Sequence, residues 1–423
     1  MKLQTLKGLE TRLTHFLEDL LEPMGRRERR HWARVYVQGL LLDGERKSIE
    51  PMASRMEGAD VQALRQFVGQ SPWAVDEVQR RLAHKVIDLL SEAEVWIIDE
   101  TSFPKAGRHS VGVARQYCGT LGKIANCQVA VSLHWSSAAA SCPLVWRLYL
   151  PQQWLADTAR AQEVRLPAGI AYRSKTELAL EAIDQALAWE LPPLPVLADS
   201  AYGNDFSFRQ ALRERQLQYA VQVEPTTVAW TTDPNLPAPN QKKAGRPRRY
   251  PPPHALARPQ SLEEVAQRLL ASAWRKVTWR QGSRGTQRSR FAMLKVWAAH
   301  GWQQQAHLPR VMEWLLVEWP QDETEPTKYW LAQLGPQPLG LRRLVRTAKA
   351  RWRIEQDYRE LKEELGLDHY EGRQWLGWHH HVCLVTIAYA FLRAEQARLK
   401  KKFWCDLEPT PSPETAAGPA HQT

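Results

Sequence analysis

The chain has 423 residues and carries 57 Lys and Arg against 46 Asp and Glu, a formal net charge of +11. Its length exceeds what one hydrophobic core usually serves, and its basic balance favours a polyanionic partner such as nucleic acid. No apolar run is long enough to span a bilayer, the amino terminus lacks a signal-peptide stretch, and the five cysteines form no CxxC pair. We therefore expect a cytoplasmic protein in several domains, with no membrane partner.

The first 90 residues read as helices. Apolar residues between Leu13 and Leu21 recur at helical spacing, and a second helical stretch lies near Val61–Val68. Between them stands the basic cluster GRRERRHWAR, Gly25–Arg34. Residues 1–90 are expected to form either a DNA-binding region or a helical cap with a solvated charged face.

Residues 91–224 combine short strands with helices. In chain order the elements are VWIID, CQVAVSLHW, LVWRLYL, the helix TELALEAIDQALAW, PVLAD, the helix Phe208–Arg215 and QYAVQV. Local connections join the first three strands, whereas helices precede each of the last two. This order predicts an α/β fold with a mixed sheet of about five strands flanked by helices.

Residues 225–340 predict a β-rich insertion. It begins with a proline-rich basic loop, residues 231–253, and strand-like runs resume at Phe291–Ala298 and Met312–Trp319. Residues 341–400 then return to helices, one from about Leu341 to Leu365 and one from about Trp378 to Lys400. The tail, residues 401–423, is expected to be disordered.

Two aspartates stand where strand-like runs stop. Asp99 ends VWIID and Asp199 ends PVLAD. An aspartate can end a strand simply because its side chain bonds its own backbone. Two acids at the carboxyl ends of strands in one α/β sheet, however, point into the crevice where such sheets bind ligands. A third carboxylate would complete an oxygen site for Mg²⁺ that leaves room for substrate phosphates.

The segment RWRIEQDYRELKEELG offers that third acid. Its expected buried stripe, at 3.6 residues per turn, is Ile354, Tyr358, Leu361 and Leu365. The neighbouring stripe carries Arg351, Glu355 and Lys362, which an ordinary exposed ladder of ion pairs would also explain. Glu355, together with Asp99 and Asp199, would supply carboxylates for two metal ions. Arg351 and Lys362 would then bind phosphates of a nucleic-acid backbone on either side.

At these residues the sequence resembles the DDE transposases of bacterial insertion sequences. RWRIEQDYRELK is similar to the helix that defines the branch with a Tyr-Arg-Glu-Lys signature. IIDETSFPKAG, ARQYCGTLGKIANCQVAVSLHW and LADSAYG resemble the insertion-sequence family catalogued as seven-zero-one. The similarity runs from about Asp99 to His381, with the motifs in the correct order, and it implies an RNase H-like core closed by the signature helix.

The resemblance also implies roles for single residues. The catalytic and metal-binding acids of the family match Asp99, Asp199 and Glu355. The signature Arg and Lys match Arg351 and Lys362, whereas the signature Tyr falls on Ala348, which removes one expected phosphate contact. Two Mg²⁺ ions, replaceable by Mn²⁺, are expected to support cutting of DNA at the element's ends and attack of the freed 3′-hydroxyl on target DNA. A homodimer in a synaptic complex with the terminal inverted repeats is implied as well.

Several other residues have two open interpretations. Further DNA contacts are expected from Lys105, Arg115, Lys123, Arg246, Arg248 and Arg249; solvated surface or an unspecific basic linker would show the same pattern. Trp297, Trp314 or Trp319 could receive an unstacked base or could pack in the core. The adjacent His379, His380 and His381 diverge around a helix, so packing or phosphate contact is expected and a shared metal ion is not.

Two rival functions stay open on the sequence alone. One is an RNase H-like nuclease that cuts DNA without strand transfer. The other is a non-catalytic DNA-binding descendant of a transposase, against which the presence of all three acids argues.

Overall fold

The computed structural model describes residues 3–90, 93–137, 140–232, 259–282, 285–299, 311–335 and 339–407. Across these ranges no helix is long and apolar enough to cross a lipid bilayer. The basic segment with Arg246, Arg248 and Arg249 and the tail after Leu407 lie outside the described residues.

Residues 3–90 are mainly helical, as expected. The helices are α1 (Leu3–Leu20), α2 (Arg27–Leu41), α3 (Ile49–Ala53), α4 (Val61–Gln70) and α5 (Val75–Leu89). The last helix, α14 (Trp375–Leu407), packs against α1, α2, α4 and α5, and α3 packs against α2 and α4. There Tyr36 Oη lies 2.8 Å from His381 Nδ1, and Trp73 stacks on His380 with ring centroids 3.8 Å apart. In its packing the region is a helical cap, and DNA binding by it stays a prediction.

The strands predicted in residues 91–224 all form. With one unpredicted strand, β2, they are β1 (Ala93–Pro104), β2 (Ala114–Cys118), β3 (Lys123–Ser137), β4 (Ser141–Leu148), β5 (Val196–Ala198) and β6 (Tyr219–Val223). β3 pairs antiparallel with β1, β2 and β4, whereas β5 pairs parallel with both β1 and β6. The resulting order is β4-β3-β1-β5-β6. Its first two pairs are antiparallel and its last two are parallel, so the sheet is mixed, as predicted. The RNase H-like α/β fold class is confirmed.

Helices connect and cover these strands. They are α6 (Gln152–Ala156), α7 (Thr158–Glu163), α8 (Lys175–Ala188), α9 (Ser200–Gly203) and α10 (Phe206–Glu214). α8 begins at a capping box: Ser174 Oγ accepts from the Glu177 amide at 3.2 Å, and the Glu177 carboxylate accepts from the Ser174 amide at 2.7 Å. Its apolar face, including Leu178 and Ile183, joins the main core under the sheet.

The β-rich segment after β6 extends the same sheet. Its elements are β7 (Val228–Trp230), β8 (Gln260–Ser261), α11 (Leu262–Gln267), β9 (Arg275–Gly282), β10 (Gly285–Ala298), β11 (Met312–Trp319) and β12 (Lys328–Gln333). β12 pairs antiparallel with β6, and the described strands form one sheet of twelve. The expected sheet of about five strands is therefore too small. β12 pairs with β6 and covers the backbone edge that β6 would otherwise expose, which joins the strands of the β-rich segment to the same sheet. A buried ion pair, Arg209 Nε to Glu313 Oε1 at 3.1 Å, ties α10 to β11.

The closing helices carry one correction. α12 (Leu341–Lys349) and α13 (Arg353–Glu363) are separated by a 3₁₀ turn at Ala350–Trp352, so the expected continuous helix from 341 to 365 is wrong. Apolar spacing over three residues does not distinguish 3.6 from 3.0 residues per turn. The predicted buried stripe is confirmed, since all four of its members are buried: Ile354, Tyr358, Leu361 and Leu365.

Candidate active site

Asp99 lies inside β1 and not at its end. Antiparallel pairing with β3 continues from Asp99 opposite Ser132 to Pro104 opposite Cys127, so the expected stop at Asp99 is wrong. The parallel pairing with β5 is different, because it covers only Trp96 and Ile97 of β1. Asp99 therefore stands just beyond the point where β5 leaves β1, which is the carboxyl-end crevice of the parallel strands.

Asp199 follows β5 directly and caps α9. Its Oδ1 accepts a hydrogen bond from the Ala201 amide at 3.0 Å. The short helix lies tight on β6: a Cβ at Gly203 would stand 1.9 Å from the Gln222 carbonyl oxygen, so only glycine fits there. The end of β5 and the adjoining position in β1 thus bring Asp199 and Asp99 to one edge of the parallel strands.

Arg351, in the turn before α13, joins the acids. Its Nη1 donates to Asp99 Oδ2 at 2.6 Å, and its Nη2 lies 3.7 Å from Glu355 Oε1. Burial lowers the pKa of the Arg351 guanidinium, but the charges of Asp99, Asp199 and Glu355 outweigh burial and raise it. All three candidate acids therefore surround a single cationic side chain.

The surroundings of Asp99 disfavour the charged form of its carboxyl group. Burial raises its pKa, Arg351 lowers it and the charge of Asp199 raises it, with a net value of about 7. The Glu100 amide adds one hydrogen bond to Asp99 Oδ1 at 2.8 Å. One guanidinium is therefore insufficient to neutralise the two facing aspartates, and further positive charge would be bound favourably.

The donor atoms suit a hard divalent cation. Carboxylate oxygens are the ligands that Mg²⁺ and Mn²⁺ prefer, and two facing aspartates supply the negative charge. Among the described residues, however, no three His, Cys, Asp or Glu side chains stand close enough to share an ion. Glu355 is exposed, and Arg351 holds Asp99. The residues fit the ion in charge and atom type, and a three-carboxylate site requires Arg351 to release Asp99.

Of the other predicted DNA contacts, four lie among the described residues. Lys362 Nζ donates to Ser102 O and to Thr120 Oγ1, each at 2.8 Å. Lys105 donates to the backbone carbonyl of Tyr370, and burial lowers its pKa to about 8. Two further basic residues are exposed on the β2–β3 hairpin: Arg115 and Lys123.

Three further predictions concern Ala348, the candidate tryptophans and the adjacent histidines. Ala348, at the place of the signature Tyr, is buried in α12. The three candidate tryptophans are half-buried on β10 and β11: Trp297, Trp314 and Trp319. The three histidines pack: His380 Nδ1 lies 2.9 Å from the Val68 carbonyl, and burial lowers the pKa of His379 and His380 to about 4 and of His381 to about 3.

A buried hydrogen-bond network beneath the site escaped the sequence analysis. Asp357 accepts from His134 Nδ1 at 2.8 Å, from Ser141 Oγ at 2.5 Å and from Tyr389 Oη at 2.8 Å. His134 Nε2 lies 2.9 Å from Ser132 Oγ, which lies 2.7 Å from Tyr358 Oη. Ser132 is the cross-strand neighbour of Asp99, so the network supports both β3 and α13 next to the candidate acids. The alternation of polar residues in VSLHW was the only signal for it.

A cleft of about 670 Å³ lies on the other face of α13. At 100° per residue, its lining residues on α13 stand opposite Glu355 and Lys362. Neither Asp99 nor Asp199 lines it, and its basic side chains are Arg280, Arg346, Lys349, Arg353 and Arg393. The cleft is thus a positively charged neighbour of the candidate active site and not the site itself.

Comparison with known proteins shows the family of this chain. The family model described as DDE superfamily endonuclease matches residues 19–286, more than half of the chain. That match contains Asp99 and Asp199 and ends before Glu355. A protein of Microchaete diplosiphon named "Probable transposase for insertion sequence element IS701" is 31% identical over 187 residues, 44% of this chain and 46% of the relative. The similarity thus spans about half the length of that relative.

Proposed function

The chain belongs to the DDE superfamily of endonucleases, and on that premise we propose that it is a transposase. It cuts DNA at the ends of a bacterial insertion sequence and joins the freed ends to target DNA. It acts in the cytoplasm, and as a homodimer within a synaptic complex because two element ends must be joined. One observation supports this most. The side chain of Arg351 interacts with Asp99, Asp199 and Glu355, so all three acids lie at one edge of the parallel strands.

Asp99, Asp199 and Glu355 hold two Mg²⁺ ions in this proposal. Bound ions would lower the pKa of the attacking water and offset charge on the leaving oxygen. The protein's own part is to position the acids: β1 fixes Asp99, the turn at α9 fixes Asp199, and α13 carries Glu355. Arg351 donates to Asp99 and supplies positive charge to the two aspartates.

The basic residues bind the DNA backbone. Arg351 and Lys362 flank Glu355 and hold the phosphates on either side of the bond that is cut. Arg351 donates to Asp99, and Lys362 donates to Ser102 and Thr120. Each would exchange a protein acceptor for a phosphate oxygen when it binds DNA. Further backbone contacts come from Lys105, Arg115, Lys123, Arg246, Arg248 and Arg249.

The test is cleavage of a labelled DNA fragment that carries the inverted repeats flanking the gene, with Mg²⁺ present. Asp99→Ala, Asp199→Ala and Glu355→Ala should each lower the cleavage rate about a thousandfold, or about 4 kcal/mol in the barrier. Glu363→Ala, an exposed acid of the same helix, is the matched control and should cut normally. Binding of the fragment should persist in all four variants.

The products separate the proposal from its rivals. Cutting followed by joining to a target plasmid supports the transposase. Cutting without joining supports an RNase H-like nuclease, and binding without any cutting by the wild type supports a non-catalytic DNA-binding protein. Cutting retained by one of the three alanine variants removes that residue from the site.

A further inference from the structure

The β2–β3 hairpin exposes apolar side chains next to the candidate active site. Tyr117, Leu121 and Ile124 are 61%, 46% and 62% exposed. Tyr117 and Ile124 face each other across the two strands, and Leu121 lies in the connecting turn, residues 119–122. Single exposed apolar residues are normal on a protein surface, but three together at the end of a hairpin mark a binding surface.

The connecting turn of this hairpin is bonded to β1 and to α13 beside the candidate active site. The Thr120 amide donates to Ser102 Oγ at 3.0 Å, and Thr120 Oγ1 donates to Ser102 O at 2.8 Å. Lys362 Nζ donates to Ser102 O and to Thr120 Oγ1. Ser102 is three residues after Asp99 on β1, roughly 10 Å at the rise of a strand. The apolar end is therefore held at a set position relative to Asp99 and α13.

The charge around the hairpin points to a polyanion. The sequence contains no Asp or Glu between Glu100 and Asp157, while Arg115 and Lys123 stand exposed on the hairpin itself. A second copy of this chain, with a net charge of +11, would meet the same basic surface with charge of the same sign. Nucleic acid offers both phosphates for the basic residues and base faces for the apolar ones.

We propose that the hairpin is a wedge that opens the DNA at the bond to be cut. Tyr117, Leu121 and Ile124 insert between neighbouring base pairs, and Arg115 and Lys123 hold the flanking phosphates. Inserted apolar side chains unstack base steps and kink a duplex, and an aromatic ring stacks on the base that is freed. The separated strand then reaches Asp99 and Asp199. This inference rests on the proposed cleavage of DNA.

The test follows base unstacking directly, by the fluorescence of 2-aminopurine placed at the base pair beside the cleavage site. The full chain is mixed, without divalent cations, with a duplex that carries the flanking inverted repeat. The hairpin variant is Tyr117→Ser/Leu121→Ser/Ile124→Ser. Its matched control, Leu42→Ser/Leu89→Ser/Leu270→Ser, replaces three other exposed apolar side chains elsewhere on the surface. All six side chains are exposed and none belongs to the hydrophobic core, so both variants should keep the fold.

Wild type and control should raise the fluorescence several-fold, whereas the hairpin variant should leave it at the level of free duplex. With Mg²⁺, the hairpin variant should cut paired DNA about tenfold more slowly, and two mismatched pairs at the site should restore its rate. A fluorescence rise that persists in the hairpin variant overturns the wedge, as does a slow rate that mismatches leave unchanged. Loss of a dimer in light scattering, with the rise retained, assigns the surface to self-association and also overturns it.

The wedge and the cleavage activity can fail separately. A wild type that raises the fluorescence through the hairpin but cuts nothing supports the wedge and removes the proposed cleavage. A wild type that cuts the fragment without any rise retains the cleavage and removes the wedge.

Discussion

Asp99 and Asp357 are both buried carboxylates, 8% and 2% exposed, yet they have opposite electrostatic surroundings. Burial raises the pKa of each. At Asp357 the hydrogen bonds outweigh burial and lower the pKa; its donors are His134, Ser141 and Tyr389. At Asp99 the Arg351 guanidinium does not outweigh burial and the facing Asp199, and the pKa rises to about 7.

This difference separates a structural acid from one available for binding. A buried carboxylate with three donors is satisfied, and adding a cation to it would displace existing bonds. A buried carboxylate with a like charge opposite it lacks positive charge, which a divalent cation can supply. The same helix, α13, therefore carries a residue of the structural network in Asp357 and adjoins a candidate cation site at Asp99.

The largest effect on stability is expected at Asp357. Asp357→Ala leaves His134, Ser141 and Tyr389 without their shared acceptor and should lower the free energy of unfolding by about 3–5 kcal/mol. Glu363→Ala, on the exposed side of the same helix, should change it by less than about 0.5 kcal/mol. Urea unfolding followed by circular dichroism measures both. A loss at Asp357 no larger than at Glu363 would contradict the structural role.

The pH dependence should differ in sign at the two acids. Because the folded-state pKa of Asp99 is raised, its protonated form stabilises the fold at low pH, and that stability is lost as pH rises from about 4 to about 7. The ceiling is about 4 kcal/mol. Asp357, whose pKa is lowered, stabilises the fold above its unfolded-state pKa and loses that contribution as pH falls through the folded value.

The comparison is made with Asp99→Asn, unfolded in urea with EDTA at several pH values between 4 and 8. The stability of wild type relative to this variant should fall as pH rises across that interval. A difference that stays constant with pH would show that Asp99 has an ordinary pKa and would remove the electrostatic basis of the candidate site.

Divalent cations should stabilise the protein through the same acids. At a concentration one hundred times the dissociation constant, Mg²⁺ or Mn²⁺ should add about 2.7 kcal/mol to the free energy of unfolding. Asp99→Asn and Asp199→Asn should lose this gain. Asp184→Asn, which changes an exposed acid paired with Arg215, should keep it. Thermal melting with and without the cation is the measurement, and equal gains in all variants would place the ion elsewhere.

A smaller effect is expected where α9 meets β6. Gly203→Ala places a Cβ against the Gln222 carbonyl, so the turn that carries Asp199 must shift. We expect a stability loss of about 1–3 kcal/mol together with slower cleavage. Gly69→Ala in α4, where a Cβ meets no atom within 4 Å, is the control and should be neutral or stabilising. Normal cleavage by Gly203→Ala would show that the position of Asp199 tolerates movement.

The sequence was sufficient for the elements that depend on local pattern. Apolar runs located β1, β3 and β5, and helical spacing identified the buried stripe from Ile354 to Leu365. Asp99 and Asp199 could be associated because both follow apolar runs in one α/β segment. Their meeting needed no knowledge of distant contacts beyond the usual order of such a sheet.

Features that depend on pairing between distant segments could not be found this way. No local pattern indicates that β12 pairs with β6, or that Asp357 accepts from His134, more than two hundred residues earlier. The turn at Ala350–Trp352 was also missed, and it is this turn that carries Arg351 against Asp99. The electrostatic state of Asp99 followed only from its burial and its neighbours.

The most direct measurement is a crystal structure of the protein with DNA and Mn²⁺, in which anomalous scattering locates the ions. We predict Mn²⁺ at about 2 Å from carboxylate oxygens of Asp99 and Asp199, with Glu355 turned inward and the Arg351 guanidinium on a phosphate. Anomalous peaks away from these acids, with the Arg351–Asp99 pair intact beside bound DNA, would contradict it.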